Sequence, residues 1–395
     1  MIQNTMVTEN MILISQSNTT LSGIMINNIT SSMDMIYMIS ISDSRFSVYN
    51  VTYSDSSIRF LNSDYSTGSV NMIDASGINT TSLITIRSCT LTNMMNYNIN
   101  NIEITKEYAI NIIESTIESI ENCTFMNVSM SVFSFTDSNI TRTTMVEISN
   151  SLSGFYFENT NSWEMTQISI LNCGSASFLR SAGIHTSTSN FTLTNSTFAN
   201  NLADSGTGIK IDCPPRSKCE STISNCTFSN NVARTEGGAI SYNLERPMIS
   251  MIEFIDNIAP YGSDISSYPT KIIQMSTMSN KIYIENIGSG VVYSENLVLA
   301  LIDNENQIMT TNNESAVKIQ PISQNDRVTG ANTAIFTQGI ATFGSLELTS
   351  SPGAQNISFE ISSSIINQEQ LTYGVGITDN NRNEYENRII ASFRY

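Results

Sequence analysis

The chain has 395 residues, of which only 13% are charged, and its formal net charge is −17. This length accommodates two ordinary domains, or one long repeat domain and a smaller one, because single cores stop growing at roughly 250–300 residues. The negative charge and the lack of a basic cluster exclude nucleic acid and anionic lipid as partners. Ser, Thr and Asn must cover the surface, which is unusual for a cytosolic protein.

From about Met11 to Met278, short runs of Ile, Leu, Val, Met and Phe alternate with Ser, Thr and Asn. Alternation with a period of two predicts strands with one buried and one wet face. The strands recur every 22 to 34 residues, whereas turns in a β-sandwich recur every ~8–12 residues. We therefore predict a parallel β-helix over residues 1–285, in which each coil buries its face against its neighbours.

Three stretches of the chain are similar to one another: NSTFANNLADSGTGI (195–209), NCTFSNNVARTEGGAI (225–240) and MIEFIDNIAPYGSDI (251–265). The repeat-motif positions are Phe198, Phe228 and Phe254, then Asn201, Asn231 and Asn257, then glycines that include Gly237 and Gly238. We predict that each Phe points inward and stacks on the next. We predict that each Asn adopts the left-handed conformation at a corner and bonds to the same amide one coil away, and that the glycines form a second corner.

The FxxN motifs and Gly237-Gly238-Ala239-Ile240 resemble the repeat of the polymorphic outer membrane protein family, which also occurs in large protist surface proteins. The match covers residues 192–265. Elsewhere GTGI and GSDI replace GGAI, and Phe125-Met126-Asn127 breaks the spacing. The resemblance implies a right-handed, pectin-lyase-like parallel β-helix displayed outside the cell. The abundance of Asn and Ile is typical of AT-rich genomes such as those of ciliates, which predicts a protist source.

After about Asn286 the pattern changes to strands spaced as in an antiparallel sandwich. GIATFGSLELTSSPG (339–353) resembles the last strands of invasin-type Ig-like modules. We therefore predict an Ig-like β-sandwich over residues 290–395. It would cap the sticky edge of the last coil.

Asn-X-Ser/Thr sequons predict glycosylation of a secreted protein, although many sequons arise by chance in so Asn-rich a chain. They lie at Asn18, Asn28, Asn50, Asn79, Asn122, Asn127, Asn139, Asn190, Asn195, Asn225, Asn313 and Asn356. Of these, Asn122, Asn195 and Asn225 are expected on the outward face of equivalent strands. No apolar run reaches the ~18 residues of a membrane span, and MIQNTMVTEN lacks the pattern of a signal peptide. We expect an extracellular chain that is a mature or excised piece of a larger protein.

The six cysteines are too few for a disulfide scaffold of this length. Cys213 and Cys219 bracket a short Pro-rich loop, which predicts a local disulfide; two unpaired thiols are the alternative. The remaining cysteines are expected to be unpaired and to fill the interior as small apolar side chains. These are Cys89, Cys123, Cys173 and Cys226. The coil that contains Ser196 would separate Cys173 from Cys226 by more than the reach of a disulfide.

Candidate chemistry is sparse. A zinc site or a triad would have to include His185, the single histidine, but a satisfied or solvated corner residue is the simpler interpretation. Trp163 could stack on a sugar or simply pack. Carboxylates around the repeats could bind calcium or form a solvated acidic surface. They are Asp204, Asp212, Glu220, Glu236, Glu245, Asp256 and Asp264.

The motifs of polysaccharide-cleaving β-helices, namely GHG, RIK and WIDH, are missing from the sequence. We therefore predict a non-catalytic extracellular structural or adhesive protein without a cofactor. Its partners would be other surface proteins, copies of itself, or glycans. The alternatives are a polysaccharide lyase or hydrolase that uses acidic residues on the β-helix face, and a self-assembling fibre or coat subunit.

Overall fold

The computed structural model describes residues 2–6, 11–30, 37–105, 108–160, 163–175, 180–367, 371–372 and 386–394, with the backbone alone at 2–6, 30 and 163. The chain divides into two compact units, Met1–Ala259 and Pro260–Tyr395. The sequence had suggested a boundary at about residues 286–290. The difference arises because the alternation of KIYIENI is the same in a solenoid strand as in a sandwich strand.

The strands of the first unit are β1 (Ile2–Met6), β2 (Ile12–Ser15), β3 (Asn18–Thr30), β4 (Tyr37–Ser42), β5 (Arg45–Ser54), β6 (Arg59–Asp64), β7 (Thr67–Thr80), β8 (Ile84–Arg87), β9 (Thr90–Ile104), β10 (Ile110–Ile113), β11 (Thr116–Val128), β12 (Ser131–Thr136), β13 (Asn139–Ser149), β14 (Ser153–Glu158), β15 (Trp163–Leu171), β16 (Ile184–Ser187), β17 (Phe191–Thr194), β18 (Thr197–Ala199), β19 (Leu202–Ser205), β20 (Ile209–Asp212), β21 (Ser221–Ser224), β22 (Thr227–Ser229), β23 (Val232–Glu236), β24 (Ile240–Tyr242), β25 (Met248–Ser250) and β26 (Glu253–Ile255).

These strands form a parallel β-solenoid. Sheet A contains β1, the odd-numbered strands from β3 to β17, and then β18, β21, β22, β25 and β26. Sheet B contains the even-numbered strands from β2 to β16, and then β20 and β24. A short sheet C pairs β19 with β23. Every strand therefore pairs with its counterpart one coil away, as the repeat predicts.

Most coils bend at three places, with one positive-φ residue at each bend, and the last two coils continue only the second and third rows. The first row is Gln16, Asp43, Tyr65, Ser88, Glu114, Asp137, Asn159 and Thr188; the second is Gly23, Asn50, Met72, Asn96, Asn122, Met145, Gln167, Asn195, Asn225 and Met251; the third is Asn28, Asp55, Gly77, Asn101, Asn127, Asn150, Asn172, Asn200, Asn230 and Asp256. Asn dominates two rows because its side chain tolerates the left-handed region.

The left-handed position of the repeat was predicted one residue too late. Asn200 (φ 56°) and Asn230 (φ 52°) adopt this conformation, whereas the next residues, Asn201 and Asn231, are buried. The side-chain amide of Asn201 donates to Oδ1 of Asn231 (3.0 Å), and Asn231 in turn donates to Oδ1 of Asn257 (3.0 Å). The left-handed bend turns the following side chain inward, so the amide ladder forms inside the solenoid.

The repeated Phe residues form an internal stack. The ring centroids of Phe198 and Phe228 lie 5.0 Å apart, and those of Phe228 and Phe254 lie 5.7 Å apart. A Cβ atom at Gly208 would lie 2.7 Å from the Phe228 ring. Gly237 has a φ of 62° and forms a corner, beside the buried Gly238. The glycines therefore provide corners and make room for the stack.

A second internal ladder consists of small side chains where sheet B meets sheet A. The amide of Ser66 donates to Sγ of Cys89 (3.4 Å), and the amide of Cys89 donates to Oγ of Ser115 (3.0 Å). Cys173 belongs to the Asn ladder, because its amide donates to Oδ1 of Asn201 (2.9 Å). Cys173 therefore occupies the coil position equivalent to that of Asn201. Ser196 occupies the position equivalent to that of Cys226, and not that of Cys173.

The strands of the second unit are β27 (Ile265–Ser266), β28 (Pro269–Gln274), β29 (Lys281–Ile287), β30 (Val291–Val292), β31 (Leu297–Asp303), β32 (Ala316–Pro321), β33 (Arg327–Gly330), β34 (Thr333–Ile335), β35 (Ile340–Phe343), β36 (Leu346–Thr349), β37 (Ile357–Ser363) and β38 (Arg388–Phe393). Strands β28 to β38 form the sheets β28-β31-β35, β29-β38-β37-β32-β34 and β30-β36-β33. All of these pairs are antiparallel except β29 with β38. A common core that includes Leu299, Phe343 and Phe359 makes this unit a β-sandwich.

Candidate functional site

The outer face of sheet B changes character along the solenoid. One column of residues, each aligned with the next across neighbouring strands, faces away from the stacked Phe133 and Phe155 rings. The column reads Leu13, Ser40, Asn62, Thr85, Asn111, Ser134, Tyr156, His185, Lys210 and Ser241. After Leu13 the column consists of small polar residues, until Tyr156, His185 and Lys210 provide three large side chains in succession.

Tyr156 lies at the centre of an aromatic and cationic group. The guanidinium carbon of Arg180 lies 4.1 Å from the Tyr156 ring centroid and 5.9 Å from that of Tyr108. The two tyrosine rings are nearly parallel, with centroids 6.0 Å apart, and Nη1 of Arg180 donates to the Tyr108 hydroxyl. Burial lowers the pKa of Arg180. The guanidinium is thus held by ring faces and a hydroxyl.

His185 lies within β16 and not at a corner. Its Nε2 atom lies 2.7 Å from Oδ2 of Asp212, with only 12% of the histidine side chain exposed. The ring meets Tyr156 edge-on at 5.4 Å. Its other nitrogen, Nδ1, is buried and has no hydrogen-bond partner among the described residues. The imidazole is therefore anchored on one side and unsatisfied on the other.

Two carboxyl groups near Lys210 have opposite pKa shifts. Burial acts to raise the pKa of Asp212, but the hydrogen bond to His185 and the charges of His185 and Lys210 outweigh it, so this pKa is lowered. Burial raises the pKa of Glu236; Asp204 and Asp212 add to this rise, and Lys210 opposes it. Asp204 itself forms an ion pair with Arg234 at 2.6 Å. The carboxyl groups therefore differ in how readily they hold a proton.

The remaining acidic residues predicted around the repeats are separated. Glu220 lies 3.8 Å from Lys218, and Glu245 accepts from the amide of Cys219 at 2.9 Å. Asp256 forms a left-handed bend, and Asp264 belongs to the second unit. Across the described ranges, no three His, Cys, Asp or Glu side chains lie close enough to hold a metal ion. The calcium hypothesis thus gains no ligand set from this geometry.

Cys213 and Cys219 form a disulfide with Cα atoms 5.9 Å apart. The other four cysteines are free and buried. The predicted glycosylation residues Asn122, Asn195 and Asn225 are exposed, and only Asn190 among the sequons is half-buried. Nδ2 of Asn225 donates to Oδ1 of Asn195 at 2.5 Å. The side chain of Trp163 lies outside the described residues.

Sequence reasoning did not find Tyr108, Tyr156 or Arg180. A signal for Tyr156 existed in the stretch SGFYFE, where it occupies the outward phase between two inward Phe residues. Neither Tyr108 nor Arg180 had such a signal.

Within the described ranges, no helix is both long and apolar enough to cross a membrane.

No protein-family model matches the chain, and no curated protein matches it. Among solved structures, the chain is similar to the tailspike protein of E. coli bacteriophage HK620 in complex with pentasaccharide, with 8% identity and a TM-score of 0.20 over 88% of this chain and 80% of the tailspike chain. A double mutant of that tailspike shows 8% identity and a TM-score of 0.26 over 90% of this chain and 70% of the tailspike chain.

Proposed function

We propose that this chain is a non-catalytic structural and adhesive element of a cell surface or extracellular assembly. The observation that supports this most is the fate of the repeated residues. Phe198 and Asn201 contact Phe228 and Asn231 one coil away. The most strongly repeated positions therefore serve coil stacking, and a substrate is not needed to explain them.

Three further observations support a position outside the cell. The sequons, apart from half-buried Asn190, have exposed Asn side chains, which suits glycosylation. The Cys213–Cys219 disulfide suits an oxidising compartment. Ser, Thr and Asn cover much of the solenoid. On this proposal the second unit is an Ig-like module of the same surface protein.

Adhesion is tested by coupling the purified chain to beads. Retention of the beads is measured on surfaces coated with neutral glycans, with acidic glycans, and with the chain itself. The same glycans are incubated with the free chain, and the products are sized. We expect retention without depolymerisation. Equal retention of beads that carry heat-unfolded chain would contradict an adhesive role.

A second candidate function, polysaccharide hydrolysis, is favoured by one observation. Asp212 and Glu236 both feel the charge of Lys210 and have oppositely shifted pKa values, as the base and acid of a glycosidase do. Turnover that is lost in Asp212→Asn and in Glu236→Gln, but kept in Asp204→Asn, would establish this function. Turnover that persists in both variants would exclude these two residues as the catalytic pair.

A further inference from the structure

The side chains that distinguish one part of sheet B are not required by coil stacking. We call Tyr108, Tyr156, Arg180, His185, Lys210 and Asp212 the sheet B cluster. In the column that contains Tyr156, the preceding coils carry Asn111 and Ser134 at equivalent positions. Since these small residues occupy the same backbone place, the solenoid does not need a tyrosine, a histidine or a lysine there. The change calls for an explanation outside packing.

Arg180 carries hydrogen-bond donors that the described residues do not use. A guanidinium carries five N–H groups, and within the described ranges the hydrogen bond from Arg180 goes to Tyr108. No carboxylate in the described part of the chain lies within ion-pair distance of it. The tyrosine faces hold the planar group in place. A cation that is held without a counter-charge can direct its donors to an external oxygen atom.

Asp212, held by His185, supplies the complementary acceptor. Nδ1 of His185 is buried and has no hydrogen-bond partner among the described residues, so an external ligand does not reach it and the imidazole serves to hold Asp212. Asp212 accepts from His185 through Oδ2 and has a side chain that is 38% exposed. Cationic donors and a carboxylate acceptor therefore lie within one small area, which a ligand of one charge sign would not match.

We propose that the sheet B cluster is a binding subsite for a neutral oligosaccharide. Sugar hydroxyl groups both donate and accept, so they can pair with Arg180 and Lys210 as well as with Asp212. The net charge of −17 repels polyanions. Tyr156, His185 and Lys210 occupy three successive coils, spaced about 4.8 Å apart, so an extended chain of sugars can run along the column. This inference rests on the proposed adhesive function and names its ligand.

The test uses pentasaccharides of β-1,4-linked glucose, xylose and mannose and of α-1,4-linked glucose as neutral probes, with pentagalacturonate as the acidic probe. Binding to the full chain is measured by titration calorimetry. The variants are Tyr156→Ser, which copies Ser134 one coil away, and Arg180→Gln. The control is Arg142→Gln, because Arg142 pairs with Glu121 on sheet A. Thermal midpoints verify that each variant is folded.

We expect at least one neutral pentasaccharide to bind. Its Kd should rise at least tenfold in Tyr156→Ser and in Arg180→Gln, and stay unchanged in Arg142→Gln. The inference is overturned if no neutral probe binds, if pentagalacturonate binds more tightly, or if neither cluster variant changes the Kd. If beads still adhere in these cases, the adhesive function stands and only its assigned site fails. If the beads do not adhere at all, the proposed function fails as well.

Discussion

The side-chain amide of Asn201 donates to Oδ1 of Asn231, which lies 30 residues later in sequence and one coil away in space. Oδ1 of Asn231 also accepts from the backbone amide of Asn201 at 3.2 Å, and Nδ2 of Asn231 donates to the carbonyl of Phe198 at 2.9 Å. One side chain thus satisfies backbone groups of the neighbouring coil. A buried ladder of this kind stabilises the solenoid because each member leaves no polar group unpaired.

Replacing Asn231 by Ala should lower the free energy of unfolding by about 3 kcal/mol, because the buried donors and the carbonyl that it serves lose their partner. Urea unfolding followed by circular dichroism measures the change. Asn139→Ala is the matched control, since Asn139 is exposed on β13. Equal stability of the two variants would contradict the role of the ladder.

Gly208→Ala should destabilise the solenoid, because its Cβ atom would overlap the Phe228 ring. Overpacking a core in this way lowers the free energy of unfolding by about 1–3 kcal/mol. In a chain that already carries Phe228→Leu, the same glycine replacement should cost less than it does in the wild-type chain. A double-mutant cycle of melting curves measures this coupling. At Gly344 the nearest atom to an added Cβ is 3.4 Å away, so Gly344→Ala serves as the mild control.

Cys89 occupies a ladder position between Ser66 and Ser115, where the neighbouring coils carry serine. Cys89→Ser should therefore change the free energy of unfolding by less than about 1 kcal/mol, since a hydroxyl accepts the same bond. Cys89→Ala should cost about 1–3 kcal/mol, because the amide of Ser66 loses its acceptor. Denaturation of both variants in urea compares them directly. A larger cost for Ser than for Ala would mean that apolar filling is the main role of Cys89.

Non-reducing peptide mapping should recover one disulfide peptide that joins Cys213 to Cys219, and four cysteines labelled after unfolding. Opening the bond in the variant Cys213→Ser with Cys219→Ser should cost about 2 kcal/mol, as expected from loop closure over so few residues. Thermal melting with and without reductant measures the cost. A bridge between Cys173 and Cys226 would contradict the register of the coils.

Stability should depend on pH through Asp212 and Glu236 in opposite senses. Because the pKa of Asp212 is lowered in the folded state, this group stabilises the fold at pH values above the ordinary pKa of an aspartate. That stability is lost as the pH falls through the folded-state pKa. Because the pKa of Glu236 is raised in the folded state, the protein loses stability as the pH rises from the ordinary pKa of a glutamate through the folded-state pKa of Glu236. Asp212→Asn should therefore be less stable than wild type at pH 7, and Glu236→Gln more stable.

Urea midpoints at pH 3.5, 5 and 7 test both statements with the same two proteins. The difference between Glu236→Gln and wild type should vanish at the lowest pH, where the free carboxyl group is protonated in both states. Arg142→Gln, on another sheet, provides a control whose offset from wild type should not follow the titration of Glu236. A stabilising effect of Glu236→Gln that does not change with pH would exclude ionisation as its cause.

Much of the solenoid is predictable because its causes are local. Alternation with a period of two identifies the inward residues, and the repetition of Phe198 and Phe228 identifies the coils. The left-handed position was misplaced by one residue, since both Asn200 and Asn201 tolerate that region. Hydrogen bonding across coils decides which of the two turns inward, and a single coil does not contain that information.

The sequence by itself determined the class of fold, the stacking of Phe and Asn, and the local setting of Cys213 and Cys219. Only the tertiary structure decided where the solenoid gives way to the sandwich, and which side chains meet on sheet B. Arg180 contacts Tyr108, which is 72 residues away. Coils of unequal length bring such residues together, so their contact depends on the summed register of all the coils between them and not on any local pattern.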